Sequence, residues 1–221
     1  MNFDNDTVNI LKNFSSINPS LSFKTGDILS TISVNKTIMA KAKINQNIEK
    51  PFAIFDISRL LGTVSLFNNP TITLNDKYMT ISEDKKKINY TFTEPSLIVS
   101  PPEREIKFPE PEVSFDLTAS VLSEVTKALS VLALPEIAIK GDGEKVYVQA
   151  IDSKNPSGDI YSVEVGETKD TFRMIFAADN IKVLPGDYRV DISSAGLSRW
   201  DSPKVSYFVA VESSSTFEKG E

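Results

Sequence analysis

The chain contains neither cysteine nor histidine. Without cysteine there can be no disulfide, no thiolate metal site and no thiol nucleophile. Without histidine the commonest general base and the commonest zinc ligand are both missing. Long apolar runs are also absent: no stretch approaches the roughly 20 residues needed to cross a bilayer. The opening MNFDNDTVNILKNF carries acids where a signal peptide needs positive charge, so a soluble, intracellular protein is expected. Only 9 of 221 residues are glycine, and charged residues make up 24% against 40% hydrophobic, a globular composition rather than a disordered one.

The net charge of −6 is unevenly spread. Residues 1–110 hold 13 Lys/Arg and 12 Asp/Glu, a balance of +1, whereas residues 111–221 hold 11 and 18, a balance of −7. Two units with different surfaces are implied. Between them runs EPSLIVSPPEREIKFPEPE, residues 94–112, whose five prolines and seven charges favour an extended connector. Its acids Glu103, Glu105, Glu110 and Glu112 lack the spacing of a calcium loop.

The same order of elements occurs on both sides. FAIFDISRLLG at 52–62 and FRMIFAADNIKVLPG at 172–186 each run from a Phe-rich strand towards a short helix. Amphipathic helices are expected over Asp6–Ile17 and Leu117–Ala133, and shorter ones over Asp56–Phe67 and Ala178–Leu184. Alternating strands are expected in ILSTISVNKTIMAKAKI, EIAIKGDGEKVYVQAI, TITLNDKYMTISEDKKKINYTF and DYRVDISSAGLSRWDSPKVSYFVAVE. Gly141-Asp142-Gly143 and Asn75-Asp76 are placed at hairpin turns that want positive φ. The chain therefore reads as a tandem duplication.

Each predicted helix carries one basic residue on its polar side, namely Lys12, Arg59, Lys127 and Lys182, among small neutral neighbours. In a chain this acidic, cations so placed suit loose, sequence-independent attraction to phosphates. Other motifs fail. Gly141-x-Gly143 lacks the third glycine of a dinucleotide loop, and no phosphate loop occurs. A carboxylate-only hydrolase would have acids such as Asp152 and Asp159 to use, but no catalytic motif surrounds them, and no enzymatic activity is expected. Trp200 is expected to pack at a core edge or turn.

The stretches ILKNFSSIN (10–18), DISRLLGTVSL (56–66), LPGDYRVDIS (184–193) and SYFVAVES (206–213), in this order and spacing, resemble the DNA polymerase sliding clamps. The nearest likeness is to the clamp of T-even bacteriophages, a relative in fold of proliferating cell nuclear antigen. The resemblance implies an α+β protein of two tandem similar domains, each a curved antiparallel sheet with two helices, over 1–96 and 113–221 with a linker at 97–112. It implies a ring, a homotrimer closed head to tail, that encircles double-stranded DNA and tethers the replicative DNA polymerase. An ATP-dependent clamp loader would open it, in the cytoplasm of the infected bacterial host, with no cofactor, metal or membrane. Lys12, Arg59, Lys127 and Lys182 would then face DNA. Lys85, Lys86 and Lys87 would meet Asp159 and Glu164 of the next subunit. Leu97, Ile98, Val99, Leu184, Pro185, Phe208, Val209 and Val211 would form a pocket for partner peptides. The alternative is a β-rich structural or ligand-binding module, such as a virion component.

Overall fold

The computed structural model describes residues 2–104 and 106–220; Glu105 of the acidic stretch thus lies outside the described residues. The chain divides into two compact units, Met1–Arg104 and Glu105–Glu221.

The first unit begins with α1 (Asn5–Ile17), whose Thr7, Ile10, Leu11, Phe14 and Ile17 recur at helical spacing and are all buried. Asp4 caps it, accepting the Thr7 N–H at 2.8 Å. With the Asn45 amide as the larger influence and that N–H next, its carboxyl is held down to about 2. There follow β1 (Leu21–Phe23), β2 (Gly26–Ile32), β3 (Ile38–Ile48), β4 (Phe52–Ile54), α2 (Ile57–Val64), β5 (Thr71–Leu74), β6 (Tyr78–Glu83) and β7 (Lys86–Thr91). All pairings are antiparallel: β1 with β4, β2 with β3, and β5-β6-β7 as a meander. α1 packs on α2 and β3. A column of rings, Phe3, Phe23, Phe52 and Phe92, has successive centroids 6.4, 4.3 and 4.8 Å apart.

The second unit contains β8 (Val113–Leu117), α3 (Ala119–Leu132), β9 (Glu136–Asp142), β10 (Lys145–Ile151), β11 (Tyr161–Glu167), β12 (Thr171–Ala177), β13 (Tyr188–Ser193), β14 (Leu197–Asp201), β15 (Val205–Ala210) and β16 (Thr216–Glu218). One sheet has the order β11-β10-β9-β12-β16, and β15, β14, β13 and β8 hydrogen-bond in that order. α3 lies on β9, β10 and β11. The core is aromatic. Trp200 meets Phe176 and Tyr188 edge-on at 6.0 and 6.3 Å, and Tyr188 meets Tyr207 at 6.1 Å. Trp200 is fully buried mid-strand, so it sits deeper than the edge or turn expected of it. Gly141 pairs with Phe172, and the ring of Phe172 lies where a Cβ on Gly141 would go.

Four sequence expectations need correction. The second unit opens with a strand, and the helix expected over Leu117–Ala133 starts two residues later. Leu117 pairs with Tyr188 in the sheet, and Thr118, in extended conformation, is the N-cap. The helix expected over Asp56–Phe67 spans only Ile57–Val64, Asp56 being its cap. The fourth helix, Ala178–Leu184, reduces to a one-turn 3-10 helix, Ala178–Asn180. Pro185 biases Leu184 away from helical ψ, and the Leu184 N–H and C=O are engaged by the Tyr207 and Tyr188 hydroxyls. The described second unit therefore has one α-helix, not two. Lastly, among described residues positive φ belongs to Gly143 but not to Asn75 or Asp76; outside glycine it occurs at Lys36, Asp84 and Ala133.

Candidate nucleic-acid interface and partner surfaces

Lys12 lies on the exposed side of α1 and Arg59 on that of α2, both in the first unit; Lys127 is exposed midway along α3 in the second. Among the described residues none of the three makes an ion pair. The reason is local. Ser15, Thr63 and Ser130 donate their hydroxyls to the carbonyls of Lys12, Arg59 and Thr126, within their own helices. Glu124, one turn from Lys127, instead accepts from Ser120 at 2.9 Å and from the Tyr161 hydroxyl at 3.2 Å. Asp56, the carboxylate nearest Arg59 in sequence, is likewise engaged, accepting the Arg59 N–H at 2.9 Å as the α2 cap. Arg59 leans on the Tyr90 ring at 6.0 Å. Burial raises the Tyr90 hydroxyl pKa, and Arg59 opposes this.

Lys182 lies past the one-turn 3-10 helix, in chain that is neither helix nor strand, so the reasoning that placed it on a helix face does not apply to it. Its neighbours Ile181 and Val183 line a groove of about 450 Å³ beside α3, together with Ser123, Lys127 and Pro185. Lys127 and the 181–185 stretch therefore share one depression in the second unit.

Lys85, Lys86 and Lys87 are exposed at the start of β7, an outer strand of the β5-β6-β7 meander. Asp159 and Glu164 are exposed on or just before β11, an outer strand of the five-stranded sheet. Glu164 is not an open charge: Lys145 bridges it at 3.0 Å and Glu167 at 3.1 Å. Hydrogen bonds and charge from those two acids raise the Lys145 pKa.

The residues expected to bind partner peptides fall into both units. In the first, Leu97 ends a one-turn 3-10 helix, Pro95–Leu97, and is 67% exposed; Ile98 is half-buried and Val99 exposed. In the second, Leu184, Phe208 and Val211 are half-buried and Pro185 exposed. Val209 faces the core, fully buried, its carbonyl accepting from Ser198 at 2.9 Å.

Sequence reasoning missed an ionic ladder on the second unit. Asp191 accepts from Ser114 at 2.7 Å and from Arg199 Nη2 at 2.8 Å, and Arg189 reaches Asp116 at 3.2 Å. Burial works against the Asp191 charge, but these hydrogen bonds and the two arginines keep its pKa below the usual carboxylate value. The signal was present as Arg-x-Asp at 189–191 and 199–201, an alternation that puts these charges on one sheet face.

Among the described residues no three His, Cys, Asp or Glu side chains gather to hold a metal. Asp152 caps its own turn, accepting the Lys154 N–H at 3.0 Å. Among the described residues no helix is long and apolar enough to cross a membrane.

Two helix-bearing β units in tandem define a fold class also seen in solved structures. The chain superposes on proliferating cell nuclear antigen of A. fulgidus, solved with the C-terminal region of FEN-1 bound, with a TM-score of 0.69. Identity is 12%, over 93% of this chain and 94% of that one. The Helicobacter pylori beta clamp, bound to a DNA ligase peptide, gives 0.68 at 15% identity over 96% of this chain and 65% of that one. The architecture is that of the DNA clamps. Sequence carries the assignment further. The family profile "DNA polymerase processivity factor" matches residues 4–100, and "gp45 sliding clamp, C terminal" matches residues 114–213. The sliding clamps of Vibrio phage KVP40 and Escherichia phage RB69 are each 28% identical to the chain, covering 96% and 99% of it and 99% and 100% of their own lengths. The chain belongs to the sliding-clamp family of DNA polymerase processivity factors.

Proposed function

We propose that three copies of the chain close head to tail into a ring around duplex DNA and tether the replicative polymerase of a phage inside its bacterial host. The match of both halves, 4–100 and 114–213, to clamp profiles carries this reading. The action is topological and makes or breaks no covalent bond. A polymerase tied to a ring that cannot leave the duplex rebinds its primer at high effective concentration, so dissociation no longer ends synthesis. Lys12, Arg59 and Lys127, exposed and without an ion pair, supply sequence-independent attraction to phosphates, joined by Lys182, whose neighbours Ile181 and Val183 line the α3 groove. An ATP-dependent loader opens the ring in the host cytoplasm.

Ring closure pairs the β7 edge of one copy with the β11 edge of the next. Both are outer strands of their own sheets, with Lys85–Lys87 on one and Asp159 and Glu164 on the other. Partner tails bind the second unit on Leu184, Pro185, Phe208 and Val211; Val209, buried beneath, supports Phe208 rather than touching the tail. Leu97, Ile98 and Val99 offer apolar surface on the first unit.

The experiment is retention on DNA. Loaded with clamp loader and ATP, the protein should stay on nicked circles through gel filtration and be lost once one cut linearises them. Equal retention on circles and linear DNA would sink the reading.

A further inference from the structure

The outward side of β13, β14 and β15 holds a binding seat for an aromatic ring, and the chain itself fills it. Register sets Asp191, Arg199 and Phe208 side by side across the three strands. Val190, Trp200 and Tyr207, which alternate with them, are fully buried on the other side. Asp191 holds Arg199 Nη2 at 2.8 Å, and Asp201 lies 2.9 Å from its Nε, a charge contact too bent to count as a hydrogen bond. Two carboxylates gripping one guanidinium fix its plane, and a fixed guanidinium presents a flat face on which aromatic rings stack. Phe108 occupies that face. The guanidinium carbon lies 5.0 Å from its ring centroid, with the Phe208 ring tilted by 54° at 6.4 Å.

Little else holds Phe108 there. Residues 106–111 form neither helix nor strand, and Pro109 and Pro111 have no N–H to donate. Among the described residues no hydrogen bond ties this stretch to the sheet. The next anchor is Glu112, which accepts the Ser194 N–H at 2.8 Å and hydroxyl at 2.6 Å. The seat is held by ion pairs and strand register, whereas its occupant, with Ile106, Phe108, Pro109 and Pro111 half-buried, is held by packing alone.

We propose that Phe108 is a displaceable plug, and that an aromatic side chain of a short, extended partner peptide takes its place over Arg199 and beside Phe208. The inference rests on the reading that Phe208 belongs to the partner-tail surface. The occupant's chemistry follows from the one already seated: a single ring on extended backbone before a proline, in Ile106-Lys107-Phe108-Pro109. Because Arg199 is already paired to two acids, the seat selects for the ring rather than for the partner's charge. The plug makes partner binding competitive. Apparent affinity falls by the fraction of time the seat is open, so weak tails are rejected.

The probe is the peptide acetyl-Ile-Lys-Phe-Pro-amide carrying a ring fluorine, titrated by fluorine NMR against the full-length protein, with the unlabelled Phe and Ala versions compared as competitors that displace it. Phe108→Ala should bind the Phe probe about fivefold or more tighter than the unchanged protein, as for a seat open about a fifth of the time. Phe108→Leu, which keeps apolar bulk but not the flat ring, should show the same gain and guards against a folding artefact. Adding Arg199→Lys, which keeps the charge but not the planar face, should remove the gain. Equal binding to plugged and unplugged proteins, or a Phe competitor no better than the Ala competitor, would overturn the plug. Phe208→Ala tests the partner-tail surface separately. If it leaves polymerase tethering intact while Phe108→Ala still opens the seat to the probe, the surface assignment fails and the plug stands.

Discussion

Tyr207 shows how much one side chain decides in this fold. It is fully buried, its oxygen accepts the Leu184 N–H at 3.1 Å, and Tyr188 donates to the Leu184 carbonyl at 2.6 Å. Burial pushes the Tyr207 hydroxyl up to about 12, only partly opposed by the Leu184 N–H, and burial raises that of Tyr188 as well. A tyrosine whose folded pKa exceeds its unfolded value of 10.0 stabilises the fold fully below pH 10. That contribution disappears as pH climbs through 10 towards 12. Absorbance titration should show Tyr188 and Tyr207 ionising above the range of a free phenol, with cooperative unfolding setting in over the same window. Tyr207→Phe leaves the Leu184 N–H unpaired in the interior and should cost about 1–2 kcal/mol in urea unfolding. Normal phenolate titration of Tyr188 and Tyr207 would contradict this packing. None of it was legible in the sequence: DYRVDIS and SYFVAVES announce strands by alternation, but not that two hydroxyls converge on the backbone N–H and C=O of Leu184.

Elements with strong periodicity were legible; those governed by distant partners were not. α1 was within one residue of expectation because its apolar spacing, its cap and its buried face agree. The 178–184 stretch misled because its local composition suits a helix while its backbone groups are committed elsewhere. Asp187, just after it, goes further and accepts the Ala119 N–H at 2.7 Å, so this loop caps α3 across 68 residues of sequence. Thr118, the local cap, accepts the Val121 N–H at a long 3.4 Å. The shorter contact should carry more of the stabilisation. Asp187→Ala is therefore expected to cost about 1 kcal/mol and Thr118→Ala clearly less. Thermal unfolding of the two single variants settles the order, and a larger loss for Thr118→Ala would refute it.

At the scale of the whole molecule, the order and spacing of four stretches along the chain carried the resemblance to the sliding clamps, and the two family profiles bear it out. The individual surfaces were less legible, since sequence does not show which charges are already paired. Glu164, held by Lys145, is one such case. At the proposed β7–β11 junction, Lys85→Glu, Lys86→Glu and Lys87→Glu together set acids against an acidic edge, at roughly 2 kcal/mol in total at low salt. Light scattering should then report monomers, and an unchanged mass would remove these strands from the junction. The cations proposed to face DNA can be tested in the same assembly. Lys12, Arg59 and Lys127 are exposed, and the neighbouring hydroxyls and Glu124 are otherwise engaged, so their loss should leave fold and mass intact. Lys182 is half-buried in chain that is neither helix nor strand and needs its own single-variant control. Each cation that neutralises a phosphate contributes about 0.9 to the slope of log affinity against log salt. Lys12→Ala, Arg59→Ala, Lys127→Ala and Lys182→Ala combined should flatten that slope and lower processive synthesis on primed circles at low salt. At high salt, where screening has already removed the attraction, the variant and the unchanged protein should converge. Wild-type processivity and slope at every salt concentration would show that these four side chains are ordinary surface and that their assignment to DNA is wrong.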